Sequence, residues 1–300
     1  MSLLLFFIDG IGIAPDESKN NGIAGLFSGL MGPHSLTDLK PGRPLFFERG
    51  GAAAVDAVMG VKGKPQSATG QTTIFTGINA PAFLGYHLTA LPNQKLVDLI
   101  KKKSLMKKLK DLGVSATSAN MYSKEFFAKR QSSTRNLFPV STLTIKASGA
   151  KFRMYEDYLE DKAVFADLTN TILRERGIDI QIISPEKAAS NMINILNEFD
   201  FVFFEYFMTD IYGHKRNKQK LTGAVNDLNR FFSALLDSGD HDVLVVSDHG
   251  NAEDLSSGDH TENLVPAILF CSSNDKVKIF FEGLDSLKQI YERVILYLNA

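Results

Sequence analysis

Tryptophan is absent from this chain of 300 residues, and cysteine occurs once, at Cys271. One thiol excludes an intramolecular disulfide framework, so the fold must rest on its core. Cys271 closes an apolar run that begins at Ala267 and reads as a buried strand, where a thiol behaves as a small hydrophobe. An excess of either charge is also lacking: 33 basic and 34 acidic side chains leave a formal charge of −1. That balance excludes the electrostatic footprint of a nucleic-acid or anionic-membrane binder. The clustered lysines (Lys101, Lys102, Lys103, Lys107 and Lys108) read as the solvated face of a helix. No apolar run approaches the ~20 residues that a membrane-spanning helix needs. The first run, Leu3 to Ile8, stops at Asp9, and no basic signal-peptide region precedes it. These absences predict a soluble, cytoplasmic protein without nucleic-acid or membrane partners. The oligomeric state is not encoded in any of these features.

A hydrophobic content of 44% with 22% charged residues is ordinary for a globular chain, and the length is ample for a large core. Several short apolar runs look like strands buried on both faces: residues 3–8, Phe201-Val202-Phe203-Phe204, Val243-Leu244-Val245-Val246 and 267–271. Helical periodicity separates them, at residues 96–112, 192–196 and 225–236, and at 284–298 as a closing helix. Ser184-Pro185-Glu186 supplies an N-cap, a proline at the first position and an acid in the first turn. Alternating strand and helix signals predict an α/β fold: a doubly wound, mainly parallel sheet with helices on both faces. Residues 15–63, rich in glycine, proline and asparagine, read as loops and short helices. Residues 124–177 mix basic, hydroxyl-rich and acidic-aromatic stretches. They are expected to form a small inserted cap, leaving residues 1–123 and 178–300 as the core.

The polar residues of interest fall where apolar strands end. Open parallel sheets place functional groups at the carboxyl ends of their strands. Asp9 leaves the first strand, Asp210 and His214 follow the third, and Asp248-His249 follow Val243-Leu244-Val245-Val246-Ser247. His260 comes just before the last apolar run. Any one of these could be a turn aspartate or a surface histidine. Six carboxylate and imidazole groups in equivalent places are instead a ligand set that two divalent ions about 3.5–4 Å apart would use. Upstream, Gln66-Ser67-Ala68-Thr69-Gly70 leads into a short amphipathic segment. It is a candidate helix N-terminus, where free N–H groups favour phosphate and where Ser67 or Thr69 could act as a nucleophile or simply as a cap.

Taken in order, Asp9, Ser67 in Gln-Ser-Ala-Thr-Gly, Asp210-x-x-Gly213-His214, Asp248-His249-Gly-Asn-Ala-Glu253 and His260-Thr-x-Asn-x-Val-Pro266 resemble the alkaline phosphatase superfamily. Within it, the pattern is most similar to cofactor-independent phosphoglycerate mutases and phosphopentomutases. The resemblance covers both ends of the chain and not residues 124–177. It implies one divalent metal held by Asp210, His214 and His260, and a second held by Asp9, Asp248, His249 and Ser67. It also implies that Ser67 attacks phosphorus and forms a phosphoserine, with Thr69 the alternate nucleophile. Imidazole with carboxylate suits Mn²⁺ and Zn²⁺ alike.

Two departures from the mutases stand out. Gly70-Gln71 occupies the place of their Gly-His, and about fifty residues are available where they carry a large substrate-holding domain. Arg130 and Arg135, with Lys129 and Arg153, are the insert's candidates for gripping a phosphate or carboxylate. A small cap that admits water to a phosphoserine points to a phosphohydrolase or phosphotransferase acting on a small phosphorylated metabolite. An intramolecular mutase is the alternative, and a non-catalytic metal-binding scaffold a more distant one.

Overall fold

A computed structural model describes residues 2–15, 22–131, 138–239 and 241–299. Among them the strands are β1 (Leu3–Ile8), β2 (Leu45–Phe47), β3 (Gly50–Val55), β4 (Ala116–Ser118), β5 (Phe201–Tyr206), β6 (Asp242–Val246) and β7 (Val265–Phe270). The helices of the first half are α1 (Ser67–Thr76), α2 (Ala80–Leu84), α3 (Gln94–Lys103), α4 (Leu105–Asp111), α5 (Lys124–Gln131) and α6 (Val140–Ser148). Those of the second half are α7 (Tyr155–Leu159), α8 (Thr171–Glu175), α9 (Pro185–Leu196), α10 (Met208–His214), α11 (Lys218–Asp237), α12 (Asn274–Phe281) and α13 (Ile290–Asn299).

The strands form one sheet in the order β2-β3-β7-β6-β1-β5-β4. β4, β5, β1 and β6 are parallel neighbours, while β7 is antiparallel to both β6 and β3, and β2 to β3. β1 lies in the interior of the sheet, between β6 and β5, and both of its faces are apolar. Leu4, Phe6 and Ile8 join one core cluster with α9 and α11, and Leu3, Leu5 and Phe7 join the other with α1, α3, α4, α6, α12 and α13. Alternation of side chains along a strand therefore has no polar phase here, as the unbroken apolar runs anticipated. The architecture is the expected α/β fold, a mostly parallel sheet wound on both faces.

Residues 15–63 depart from the loop reading, since they contribute the strands β2 and β3. β3 is a fully buried Gly-Gly-Ala-Ala-Ala-Val run against β7. Small residues have weak strand propensity, and tertiary packing overrides it at this position. The single helix expected over residues 96–112 is broken at Ser104, whose backbone is extended and whose hydroxyl donates to the Thr144 carbonyl at 3.1 Å. Within residues 124–177, Val140, Leu143 and Ile145 of α6 pack into the same cluster as α3 and α4.

The basic residues of that stretch are largely engaged by the fold. Arg153 is buried, and its guanidinium donates to the Ser118 carbonyl at 2.9 Å and to the Lys162 carbonyl at 2.7 Å. Its charge braces backbone. Arg130 lies 3.7 Å from the Phe126 ring centroid and donates to the Phe126 carbonyl at 3.0 Å. Arg135 lies outside the described residues. Replacing Arg153 with Met strands two carbonyls and is expected to cost about 2–4 kcal/mol. Urea denaturation reads this as a lower midpoint. An unchanged midpoint with a raised KM would instead make Arg153 a substrate contact.

Candidate metal centre

Parallel pairing brings the acidic residues to one edge of the sheet. Phe7 of β1 is in register with Val246 of β6 and with Glu205 of β5. Asp9 and Asp248 each lie two residues past one such pair, so both carboxylates emerge on the α1 side, beside Glu205. α10 starts two residues beyond β5 and carries Asp210 and His214 one helical turn apart. His260 sits in the loop ahead of β7, pinned by a bridge between Gly250 and Thr261. Ser67 occupies the first position of α1, whose N-cap residue, Gln66, makes no side-chain capping bond.

All seven residues converge. Ser67 Oγ is 2.9 Å from His249 Nε2, and that nitrogen is 3.3 Å from Asp9 Oδ1 and 3.5 Å from Asp248 Oδ2. Asp210 lies 3.4 Å from His214 Nε2 and 3.6 Å from His260 Nε2. The His249 and His260 rings stack at 3.7 Å. Two groups have ligand atoms close enough to share an ion: Asp9 with Asp248 and His249, and Asp210 with His249 and His260. Thr69 is fully buried and its hydroxyl donates to the Gln66 carbonyl at 3.1 Å, so it does not face this centre as Ser67 does.

The donor chemistry fits divalent metal. Asp248 is fully buried, yet neither of its carboxylate oxygens has a hydrogen-bond partner, and Asp9 Oδ1 and His249 Nδ1 are orphaned with them. Buried polar groups are normally satisfied, and an uncompensated buried charge costs on the order of several kcal/mol. Burial raises the carboxyl pKa of Asp9 and of Asp248 well above the ordinary value, and repulsion between neighbouring carboxylates adds to it. Burial, reinforced by His260, pulls His249 down to about 3, so its ring is neutral and able to coordinate. Burial works to raise Asp210, but hydrogen bonds from His214 and His260 hold it below the usual carboxylate range. His214 rises to about 9 through its bond to Asp210.

The imidazoles are also aimed. His260 Nδ1 lies 2.9 Å from the Pro65 carbonyl and His214 Nδ1 lies 2.8 Å from that of Gly258. A carbonyl only accepts, so each Nδ1 carries its hydrogen and each Nε2 is turned inward, toward Asp210, where it holds a proton or would hold a metal. The two Nε2 atoms then face one another at 3.1 Å, a separation that requires a cation, proton or metal, between them.

Sequence reasoning named the ligand candidates but missed their supports. Glu253 is fully buried and accepts from the Gly12 and Asn251 backbone N–H groups, at 3.0 and 2.8 Å, and from Thr261 and Asn263 side chains, at 2.5 and 2.9 Å. It staples the loops of Asp9, Asp248 and His260 together. Asn251 Nδ2 donates to Asp210 Oδ1 at 2.8 Å, and a Cβ at position 213 would lie 2.5 Å from Asn251 Oδ1. Gly70 has a similar reason, because a Cβ there would meet the Asp248 Cβ at 2.8 Å and hold α1 off the sheet.

Glu205 is a third carboxyl on the same edge. Burial pushes it up to about 7 against hydrogen bonds from Ser141 and Gln71, and the Ser141 bond measures 2.6 Å. Lys64, three residues before Ser67, pairs at 2.6 Å with Asp259, the neighbour of His260. The signals in the sequence were available: Glu253 and Asn251 stand inside the Asp-His-Gly-Asn-Ala-Glu run, and Lys64 precedes the hydroxyl cluster.

The protein is expected to bind two divalent ions per chain, and Asp248→Asn or His260→Ala to lose at least one equivalent. Elemental analysis after dialysis measures this. Two ions retained by either variant would remove that side chain from the ligand set.

A model of the Metalloenzyme superfamily matches residues 169–300, the part that carries Asp210, His214, Asp248, His249 and His260. Solved structures similar over the whole chain include the alkaline phosphatase of the Antarctic bacterium TAB5, at 14% identity, 99% coverage of this chain and 98% of that chain, with a TM-score of 0.53. The Thermus thermophilus alkaline phosphatase is similar at 11% identity, 98% and 90% coverage and a TM-score of 0.56. The cold-active enzyme of a Shewanella species gives 11%, 99% and 100%, and 0.55. At these identities the likeness is one of fold. The two findings point the same way: residues 169–300 are similar to the Metalloenzyme superfamily, and the whole chain has an alkaline phosphatase-like fold.

Proposed function

We propose that this protein is a two-metal phosphohydrolase or phosphotransferase that acts on a small phosphorylated metabolite through a phosphoserine at Ser67. The observation that carries this reading is the position of Ser67 Oγ. It stands at an uncapped helix N-terminus, 2.9 Å from His249 and beside orphaned buried carboxylate oxygens. Asp9, Asp248, His249 and Ser67 would hold one divalent ion, and Asp210, His214 and His260 the other. When bound, such ions lower the pKa of a coordinated hydroxyl and neutralise charge on phosphoryl oxygens.

The residues of the chain supply the rest. The free N–H groups at the start of α1 orient the phosphoryl group over Ser67. Ser67 Oγ forms a bond to phosphorus as the bond to the substrate's ester oxygen breaks, and that oxygen leaves as an alcohol after taking a proton. Water then attacks the phosphoserine, releases inorganic phosphate and restores the hydroxyl. Lys64, anchored by Asp259 between the Ser67 and His260 segments, is placed to meet an anionic group of the substrate.

The alkaline phosphatases described above, named for phosphate-ester cleavage, support hydrolysis as the reaction class. So does the engagement of Arg130 and Arg153 with backbone carbonyls, since an intramolecular mutase must grip its dephosphorylated intermediate.

Phosphorus NMR of Mn²⁺-loaded protein with 3-phosphoglycerate and a ribose phosphate tests the proposal. Inorganic phosphate is expected to accumulate, and to stop accumulating in Ser67→Ala at unchanged metal content. A phosphoester that changes position without free phosphate would make the protein a mutase. Normal turnover by Ser67→Ala would remove Ser67 as nucleophile. Lys64→Ala is expected to raise KM several-fold with little change in kcat, the pattern of lost uniform binding, and an unaltered KM would dismiss it as a substrate contact.

A further inference from the structure

A second polar cavity, of about 160 Å³, lies on the opposite side of α10 from the metal centre, between α8, α10 and α11. Tyr206, at the end of β5, forms part of its floor. That residue is 1% exposed, and its hydroxyl has no hydrogen-bond partner among the described residues. The hydroxyl opens into the cavity, so whatever fills the cavity can bond it. Two acids stand beside it. Asp167 is 6% exposed and receives the Asn170 and Ile172 backbone N–H groups at 2.8 and 2.7 Å, which leaves lone pairs of each oxygen free. Asp227, on α11, is half-buried and accepts no hydrogen bond among the described residues.

Among the described residues, the nearby cations are paired. Lys220 pairs with Glu175 at 3.2 Å at the rim, and Arg230 is bidentate on Glu186 at 2.7 and 2.8 Å. The cavity therefore carries an excess of negative charge. Burial raises both Asp167 and Asp227 above the ordinary carboxylate range, against backbone hydrogen bonds at Asp167 and the attraction of Arg230 at Asp227.

The mouth is kept open by Gly223. A glycine inside a twenty-residue helix sacrifices roughly 0.5–1 kcal/mol relative to alanine, and no neighbour within 4 Å of a built Cβ requires it. Its place on the cavity lining gives it a purpose, because any larger side chain there would overhang the opening.

We propose that this cavity binds a small organic ammonium ion. An ammonium group has three N–H donors, which match the Asp227 carboxylate, the free lone pairs of Asp167 and the Tyr206 hydroxyl oxygen. A short apolar tail would rest on Met208 and the Tyr212 ring, which also line the cavity. A bare metal ion fits less well. The side chains that converge tightly enough to chelate, among the described residues, are those of the metal centre and include neither Asp167 nor Asp227. The site uses none of the side chains assigned to the phosphoryl chemistry, although α10 touches both.

Thermal unfolding of the Mn²⁺-loaded protein titrated with ethylammonium chloride, against potassium chloride at equal ionic strength, tests this. Ethylammonium is expected to give a saturable rise in Tm of about 2–4 °C, as a ligand held by the native state alone should, and potassium none. Tyr206→Phe, which removes one oxygen and keeps the ring, should weaken binding about 5–10-fold. Asp227→Asn and Gly223→Leu should abolish it, the latter without loss of unliganded Tm because leucine favours helix. No saturable rise in the wild type, an equal rise with potassium, or a rise undiminished in Asp227→Asn and Gly223→Leu would each overturn the proposal.

Discussion

The arrangement turns on one electrostatic constraint: Asp9 and Asp248 are carboxylates driven into the protein at the end of adjacent parallel strands, with Asp9 Oδ1 and both Asp248 oxygens left without a hydrogen bond. Asp248 has no exposed surface, so water cannot screen it. The strand register that buries the apolar side chains of β1 and β6 forces these two acids onto the same face and the same level. A sheet stable enough to impose that proximity thereby creates a site that only a cation relieves. His214 and His260 repeat the logic, since backbone carbonyls fix their Nδ1 hydrogens outward and bring together two Nε2 atoms that need a proton or metal between them.

The scaffold around this constraint is chosen for rigidity. Glu253 spends its charge on four hydrogen bonds that join three loops, which makes it a staple and leaves it no capacity to coordinate. Gly70 and Gly213 act through missing atoms, letting α1 approach Asp248 and Asn251 approach α10. Such second-layer contacts determine how far a ligand atom can wander, and so how well the site tolerates the loss of any one partner.

The fold and the cluster of candidate ligands were legible for the same reason. A strand buried on both faces must be an uninterrupted apolar run, and the first polar residue after it is conspicuous. That rule located Asp9, the Asp210–His214 pair and Asp248-His249 without any knowledge of packing. It failed for β3, where Gly50, Gly51 and three alanines make a buried strand with no bulky side chain to announce it. It was equally blind to Arg153, since a basic residue reads as solvent-facing until the Ser118 and Lys162 carbonyls are seen to claim it. Glu205 escaped notice because it sits inside an apolar strand, and only the pairing of β5 with β1 sets it beside Asp9. Gln71, conspicuous only as a departure from a histidine, lies beside that same Glu205 and works against the rise of its pKa.

α10 links the two halves of the molecule's polar chemistry. Asp210 and His214 project toward the metal centre, whereas Met208 and Tyr212 line the cavity behind. A seven-residue helix is too short to be stable alone, and its position is set by what packs against each side. Asn251 pins one side through Asp210, and the other abuts a cavity whose floor carries an unpaired hydroxyl. Occupancy of that cavity would favour one placement of α10, and by reciprocity so would metal at the centre. The coupling needs no moving domain. It requires only that both ligands prefer the same seating of one turn of helix on the end of β5.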